Sequence, residues 1–182
     1  MKYIGIIVFI LIAIMGCNVR KKHSIQENLK KMQYAKVDLC FDDFLLKKSS
    51  QTTNSLDFNM IVYVDSSECT PCELGHLRFW NPLIKESLEK SKYKTGLTII
   101  LAPKEKDWFD LNEEIKESDI PANIYIDSTY VFLKNNPFIP KEKKYHSFLL
   151  NKNNEIILVG NPVNNKRIKN IYRNYILNTN KR

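Results

Sequence analysis

Cys69-Thr-Pro-Cys72 follows directly on an apolar, β-branched run, Phe58 to Val64, and leads directly into a helix-like run that starts near Leu74. This order of strand, paired cysteines and helix is the tightest constraint in the chain. Two thiols two residues apart at a helix start can close a small disulfide ring and reopen it. The start of a helix presents unpaired N–H groups and a partial positive charge. That environment favours the thiolate, which is the nucleophilic form of cysteine.

Around that junction the pattern alternates between strand and helix. Cys72 to about Ser91 repeats Leu74, Leu77, Trp80, Ile84 and Leu88 every three to four residues and predicts a helix, with Pro82 kinking it about one turn earlier. Gly96 to Ala102 is apolar enough for a strand buried on both faces, Glu105 to Ser118 reads as an amphipathic helix, and Ile124 to Asp127 as a short strand. Tyr130 to Leu133 suits a further helical turn. Ser147–Leu150 and Glu155–Val159, joined by Asn151-Lys-Asn-Asn154, read as an antiparallel hairpin, and Asn164 to Asn178 as a closing helix. The expected class is α/β, a mixed sheet flanked by helices on both faces.

The N-terminus carries a different message. Met1-Lys2 precedes an almost unbroken apolar stretch from Tyr3 to Met15, too short for a comfortable membrane span of about 20 residues. Ile14-Met15-Gly16-Cys17 resembles the lipobox of bacterial lipoproteins, in which the signal is cut before the cysteine and that cysteine is lipidated. The resemblance implies a signal peptide at 1–16 and a lipidated Cys17; an ordinary signal peptide or an uncleaved anchor is the alternative. Residues 17–57 then read as a basic tether and N-terminal extension, with Arg20-Lys-Lys-His23 at its head, and 58–178 as the folded domain. The formal net charge of +8 is spread over Lys21–Lys36, Lys141–Lys144 and Lys166–Arg173 rather than drawn into a stripe with interleaved aromatics. That spread, with export, points away from nucleic acid and toward solubility and anionic lipid headgroups.

The order of elements, with C-x-x-C at the first strand–helix junction, resembles the thioredoxin fold, and most of all the exported, membrane-tethered TlpA-like thiol–disulfide oxidoreductases of bacteria. The resemblance covers roughly Phe58 to Leu177 and rests on Asn59-Met-Ile-Val-Tyr-Val-Asp-Ser-Ser-Glu-Cys-Thr-Pro-Cys72 and Ser147-Phe-Leu-Leu-Asn-Lys-Asn-Asn-Glu-Ile156. It implies a bacterial lipoprotein facing the periplasm or the extracellular side. It also implies exchange with exported protein thiols or disulfides, with Cys69 as nucleophile, Cys72 as resolver, Thr70 and Pro71 shaping the loop, and no cofactor beyond the disulfide itself. The chain departs from the family in three places. Glu68 stands where a tryptophan is usual, Tyr63 where a buried acid is frequent, and His146 where a cis-proline faces the dithiol. A cis bond to a residue other than proline costs about 2.5–4 kcal/mol, so a trans peptide is expected there.

Charge at the dithiol pulls two ways. The helix start favours a Cys69 thiolate; Glu68, Glu73 and Asp65 disfavour it by like-charge repulsion, which points to a reducing protein. His146 is either a strand-start histidine with an ordinary partner or an imidazole close to the two sulfurs. In the second case Cys69, Cys72 and His146 form a set that suits copper or zinc, so copper handling on the same fold is a competing reading. A binding module that has lost redox turnover is a third. Cys40, in Val37-Asp-Leu-Cys-Phe41, is expected to be a small packing residue, turned away from the face that buries Val37, Leu39 and Phe41.

Overall fold

A computed structural model of the protein describes residues 21–50, 56–163 and 165–177, with only the backbone described at 108–110. The expected signal peptide and Cys17 lie outside these residues. The elements run α1 (21–32), β1 (Leu45–Lys48), β2 (Phe58–Val64), α2 (Thr70–Leu77), α3 (Asn81–Lys90), β3 (Thr95–Leu101), α4 (Trp108–Glu117), β4 (Asn123–Ile126), α5 (Phe132–Asn135), β5 (Ser147–Asn151), β6 (Ile156–Val159) and α6 (Lys166–Ile176). The six strands form one mixed sheet in the order β1-β4-β3-β2-β5-β6. Strands β2, β3 and β4 run parallel, and β1, β5 and β6 pair antiparallel to their neighbours.

The two central strands are the continuous apolar ones, because a strand covered on both faces has no side on which to place polar residues. All of β3 is buried, and β2 is buried from Asn59 onward. One face packs Met60, Val62, Leu97, Ile99 and Leu149 against Leu74 and Leu77 of α2, Leu83 and Ile84 of α3, Leu111 and Ile115 of α4, and Tyr172 and Ile176 of α6. The helix expected over 72–91 is interrupted as expected: a 3-10 turn at Arg78–Trp80 separates α2 from α3, and Pro82 sits in the first turn of α3. A proline in the first turn of a helix lacks an N–H that would have no partner within that helix. The β5–β6 turn is built by its asparagines. Asn151 Oδ1 accepts from Asn153 N at 2.9 Å and Glu155 N at 3.0 Å, while Asn154 takes a left-handed conformation (φ 62°).

The other face departs from the sequence reading. It is covered by Met32, Val37, Leu39, Cys40 and Phe44, together with Phe132, Ile139 and Tyr145, packed on Ile61, Tyr63, Ile100, Phe148 and Leu150. Residues 21–32, read from composition as a tether, are helical, and β1 pairs with β4, so the packed unit begins well before Phe58. Periodicity missed β1 because Leu45 and Leu46 are exposed on an edge strand, where no alternation is imposed. Val37 to Phe41 is not a strand either. Cys40 turns the chain at φ 51° and is buried, while Phe41 is only half-buried and stacks on Tyr125 at 4.6 Å, so the expected sidedness of Cys40 and Phe41 is reversed.

Candidate active site at the start of the second helix

Strand β2 ends at Val64 and a four-residue link carries the chain to the helix. Asp65 organises that link: its Oδ1 accepts from Ser67 N at 2.8 Å and its carbonyl from Glu68 N at 3.0 Å. Cys69 is the extended residue capping α2, and its carbonyl accepts the first helical bond, from Glu73 N at 2.9 Å. Pro71 occupies the first turn, where its fixed φ suits a helix and its missing N–H costs nothing. Cys69 and Cys72 are joined by a disulfide, with Cα atoms 5.3 Å apart, inside the range such a bond requires. Both cysteines are exposed, whereas Thr70 between them is fully buried.

The segment before β5 faces this loop, because β5 pairs with β2 and its first residue lies opposite Val62. Tyr63 N donates to the His146 carbonyl at 2.9 Å, and the Tyr63 ring meets the His146 ring edge to face at 5.2 Å. His146 is buried, and Nε2 contacts the Pro140 carbonyl at 3.0 Å. Burial pushes its imidazole below the ordinary histidine range, against the pull of that carbonyl and of Glu68, Asp65 and Glu142. The described residues contain no cis peptide, so the bond into His146 is trans, as expected. Tyr63 also stacks on Phe132 at 5.0 Å, and burial raises its phenol well above its ordinary value.

The two glutamates beside the cysteines are paired with a lysine that the sequence analysis did not single out. Lys143, in the 3-10 turn Lys143–Tyr145 just before His146, pairs with Glu68 and, at 2.7 Å, with Glu73. The two glutamate side chains are only 12% and 22% exposed, so water screens these pairs less than it would open surface pairs. Burial lowers the ammonium's affinity for its proton, but the hydrogen bonds and charges of Glu68 and Glu73 outweigh it and raise the pKa. Beside this clasp runs a groove of about 490 Å³ lined by Val62, Val64, Leu77, His146, Gly160 and Ile168, with Glu68, Glu73 and Lys143 also bordering it.

No protein-family model matches the chain, and no curated protein does. Solved structures do. Peroxiredoxin Q of Xanthomonas campestris matches with a TM-score of 0.52 at 14% identity, over 80% of this chain and 97% of its own. The bacterioferritin comigratory protein of Xanthomonas campestris matches with a TM-score of 0.51 at 13% identity, over 81% of this chain and 98% of its own. A thioredoxin-like protein from Bacteroides caccae matches 89% of this chain at 16% identity and a TM-score of 0.48, and this chain spans 55% of that protein's length.

The chain has a thioredoxin-like fold. Within it, Cys69, Thr70, Pro71, Cys72 and Glu68 fall together at the start of α2, and His146 lies in the segment opposite. His146 is engaged with Pro140 and Tyr63, and among the described residues no group of three or more His, Cys, Asp or Glu side chains is gathered to hold a metal. Sequence reasoning missed Lys143. A signal was present: counting back from the β5–β6 turn to His146 also brings Lys141–Lys144 opposite the dithiol.

Proposed function

We propose that the protein is an exported, membrane-tethered thiol–disulfide oxidoreductase that exchanges electrons with protein thiols through Cys69 and Cys72. One observation carries the reading: an exposed Cys69–Cys72 disulfide at the first turn of α2, directly after a central strand of a thioredoxin-like sheet. In the reduced protein, Cys69 gives up its proton and its thiolate attacks one sulfur of a substrate disulfide. The Cys69–substrate bond forms as the substrate's own S–S bond breaks, and the departing sulfur takes up a proton. Cys72, deprotonated in turn, attacks Cys69; the internal disulfide closes and the second substrate thiol leaves with a proton. Two electrons and two protons pass to the substrate, and a dithiol donor protein returns them. Attack is fastest when the attacking thiol's pKa lies near ambient pH.

The proposed direction is reducing. Asp65, Glu68 and Glu73 outnumber Lys143 beside the dithiol, and His146 is held toward its neutral form, so the Cys69 thiolate is stabilised less than the helix start alone would stabilise it and the dithiol is the better donor. The tether rests on the lipobox resemblance at Ile14–Cys17, and export, toward surroundings where disulfides persist, is part of the same proposal.

The test is an intact-mass thiol count on leaderless protein with disulfide-reduction kinetics on a model protein. Mild reduction is expected to expose two thiols together in the parent and none in Cys69→Ser, where Cys72 is a free thiol from the start, and turnover is expected to be largely lost in that variant. Equal turnover in Cys69→Ser would remove the oxidoreductase reading. Copper bound by the reduced protein and lost in His146→Ala would replace it with metal handling.

A further inference from the structure

Lys143 borders the groove from a turn seventy or more residues along the chain from the two glutamates it joins. Glu68 is the residue before Cys69 and Glu73 the residue after Cys72, so one ammonium bridges the two carboxylates that flank the redox loop. Exposed lysine–glutamate pairs are usually worth little. This arrangement differs because both carboxylates are largely sheltered, and each lies one residue from a sulfur-bearing residue.

We propose that Lys143 is a positioning residue of the dithiol chemistry, offsetting the flanking carboxylates so that Cys69 ionises and attacks at neutral pH. The proposal rests on the oxidoreductase reading only for its purpose, since the effect itself belongs to the reduced protein without substrate. Coulomb repulsion from two carboxylates makes a nearby thiolate harder to form, and a cation held between them removes much of that repulsion. Other charged and titratable groups face the same region. Asp65 lies in the link before Cys69, and Lys144, whose ammonium lies over the Tyr145 ring at 4.8 Å, borders the groove. Glu142 precedes the turn, Tyr63 and His146 form the wall, and exposed His76 lies 3.9 Å from Glu73. Among the described residues, Lys143 alone is paired with both flanking glutamates.

The experiment follows Cys69 alkylation by iodoacetamide against pH in reduced protein, read residue by residue by mass spectrometry, at an ionic strength of about 0.01 M where screening is weak. In Lys143→Met the midpoint of the rate profile is expected to move up, and the rate at pH 7 to fall about three- to tenfold. Adding Glu68→Gln and Glu73→Gln to the variant is expected to restore most of the rate, and raising the salt to about 1 M a smaller part of it, because the two carboxylates are sheltered. With Lys143 retained, Glu68→Gln/Glu73→Gln is expected to place the midpoint below that of the parent, a measurement that stands even if Lys143→Met does not fold. An unmoved midpoint in Lys143→Met, or a loss there that neither salt nor the glutamine pair reverses, overturns the proposal; if Lys143→Met does not fold, an unmoved midpoint in Glu68→Gln/Glu73→Gln overturns it. Because no substrate takes part, a shifted midpoint in a protein that catalyses no exchange would sink the oxidoreductase reading and leave this one standing.

Discussion

His146 Nε2 lies 3.0 Å from the Pro140 carbonyl oxygen, and that contact fixes the tautomer of the ring. A carbonyl oxygen can only accept, so Nε2 carries the proton and Nδ1 is left as an acceptor. Nδ1 is buried and has no hydrogen-bond partner among the described residues. The loop facing the dithiol is held by a trans peptide, one ring-to-carbonyl bond and an edge-on contact with Tyr63.

That arrangement makes stability depend on acid. Desolvation lowers the folded-state pKa of His146 below its ordinary value of 6.5, so below that pH the unfolded chain binds this proton more readily than the native one. The contribution is intact above pH 6.5 and is lost progressively as the pH falls toward and through the folded-state pKa. Urea midpoints measured from about pH 7.5 down to pH 5 should therefore decline more steeply in the parent than in His146→Gln, whose amide can still donate to Pro140 but does not titrate. Parallel pH profiles for the two proteins would contradict this account of the site.

Cys40 tests the division between packing and reactive thiols. Burial raises its pKa to about 11, opposed by a hydrogen bond from Asn135 Nδ2 at 3.3 Å and assisted by Asp38 and Asp43. At pH 7 it should therefore resist iodoacetamide in folded, reduced protein while Cys69 reacts, and become labelled only after denaturation. Cys40→Ala should leave disulfide exchange unchanged. Tryptic mapping of the label decides the point, and labelling of Cys40 at the rate of Cys69 would refute it.

How much of this was legible beforehand depends on the distance over which each feature is determined. The strand over Phe58–Val64, the break before Pro82 and the asparagine turn of the β5–β6 hairpin are fixed by neighbours within a few residues, and they read correctly. The second covering layer did not, because Met32, Val37 and Phe44 are too widely spaced to show a period and take their burial from Ile61, Tyr63 and Phe148 far along the chain. The same limit separated the cysteines, whose helix start is local, from Lys143, whose partners Glu68 and Glu73 are brought to it only by the pairing of β5 with β2.

Core and surface aromatics at the α2–α3 junction should differ sharply. Trp80 is 1% exposed and meets Tyr172 edge to face with centroids 6.3 Å apart, tying the break between the helices to α6. Trp80→Ala removes this contact and leaves a cavity, so a loss of about 3–5 kcal/mol is expected in urea unfolding. The adjacent Phe79 is 56% exposed, and Phe79→Ala should change stability by no more than about 0.5 kcal/mol. Comparable losses in the two variants would mean that Trp80 is not the anchor of this junction.

The order of attack can be read from trapping. With Cys72 replaced by serine, Cys69 can still form a mixed disulfide but nothing inside the protein can resolve it, so Cys72→Ser should accumulate a covalent adduct with a disulfide substrate. Cys69→Ser should accumulate far less if Cys69 is the attacking thiol. The contrast carries weight here because both cysteines are exposed, so access alone does not select the nucleophile. What separates them is position: Cys69 caps α2, where the free N–H groups converge, whereas Cys72 lies within the helix's first turn. Non-reducing electrophoresis after incubation with a disulfide-bonded model protein gives the readout. Equal trapping by the two variants would show that the helix start does not set the nucleophile.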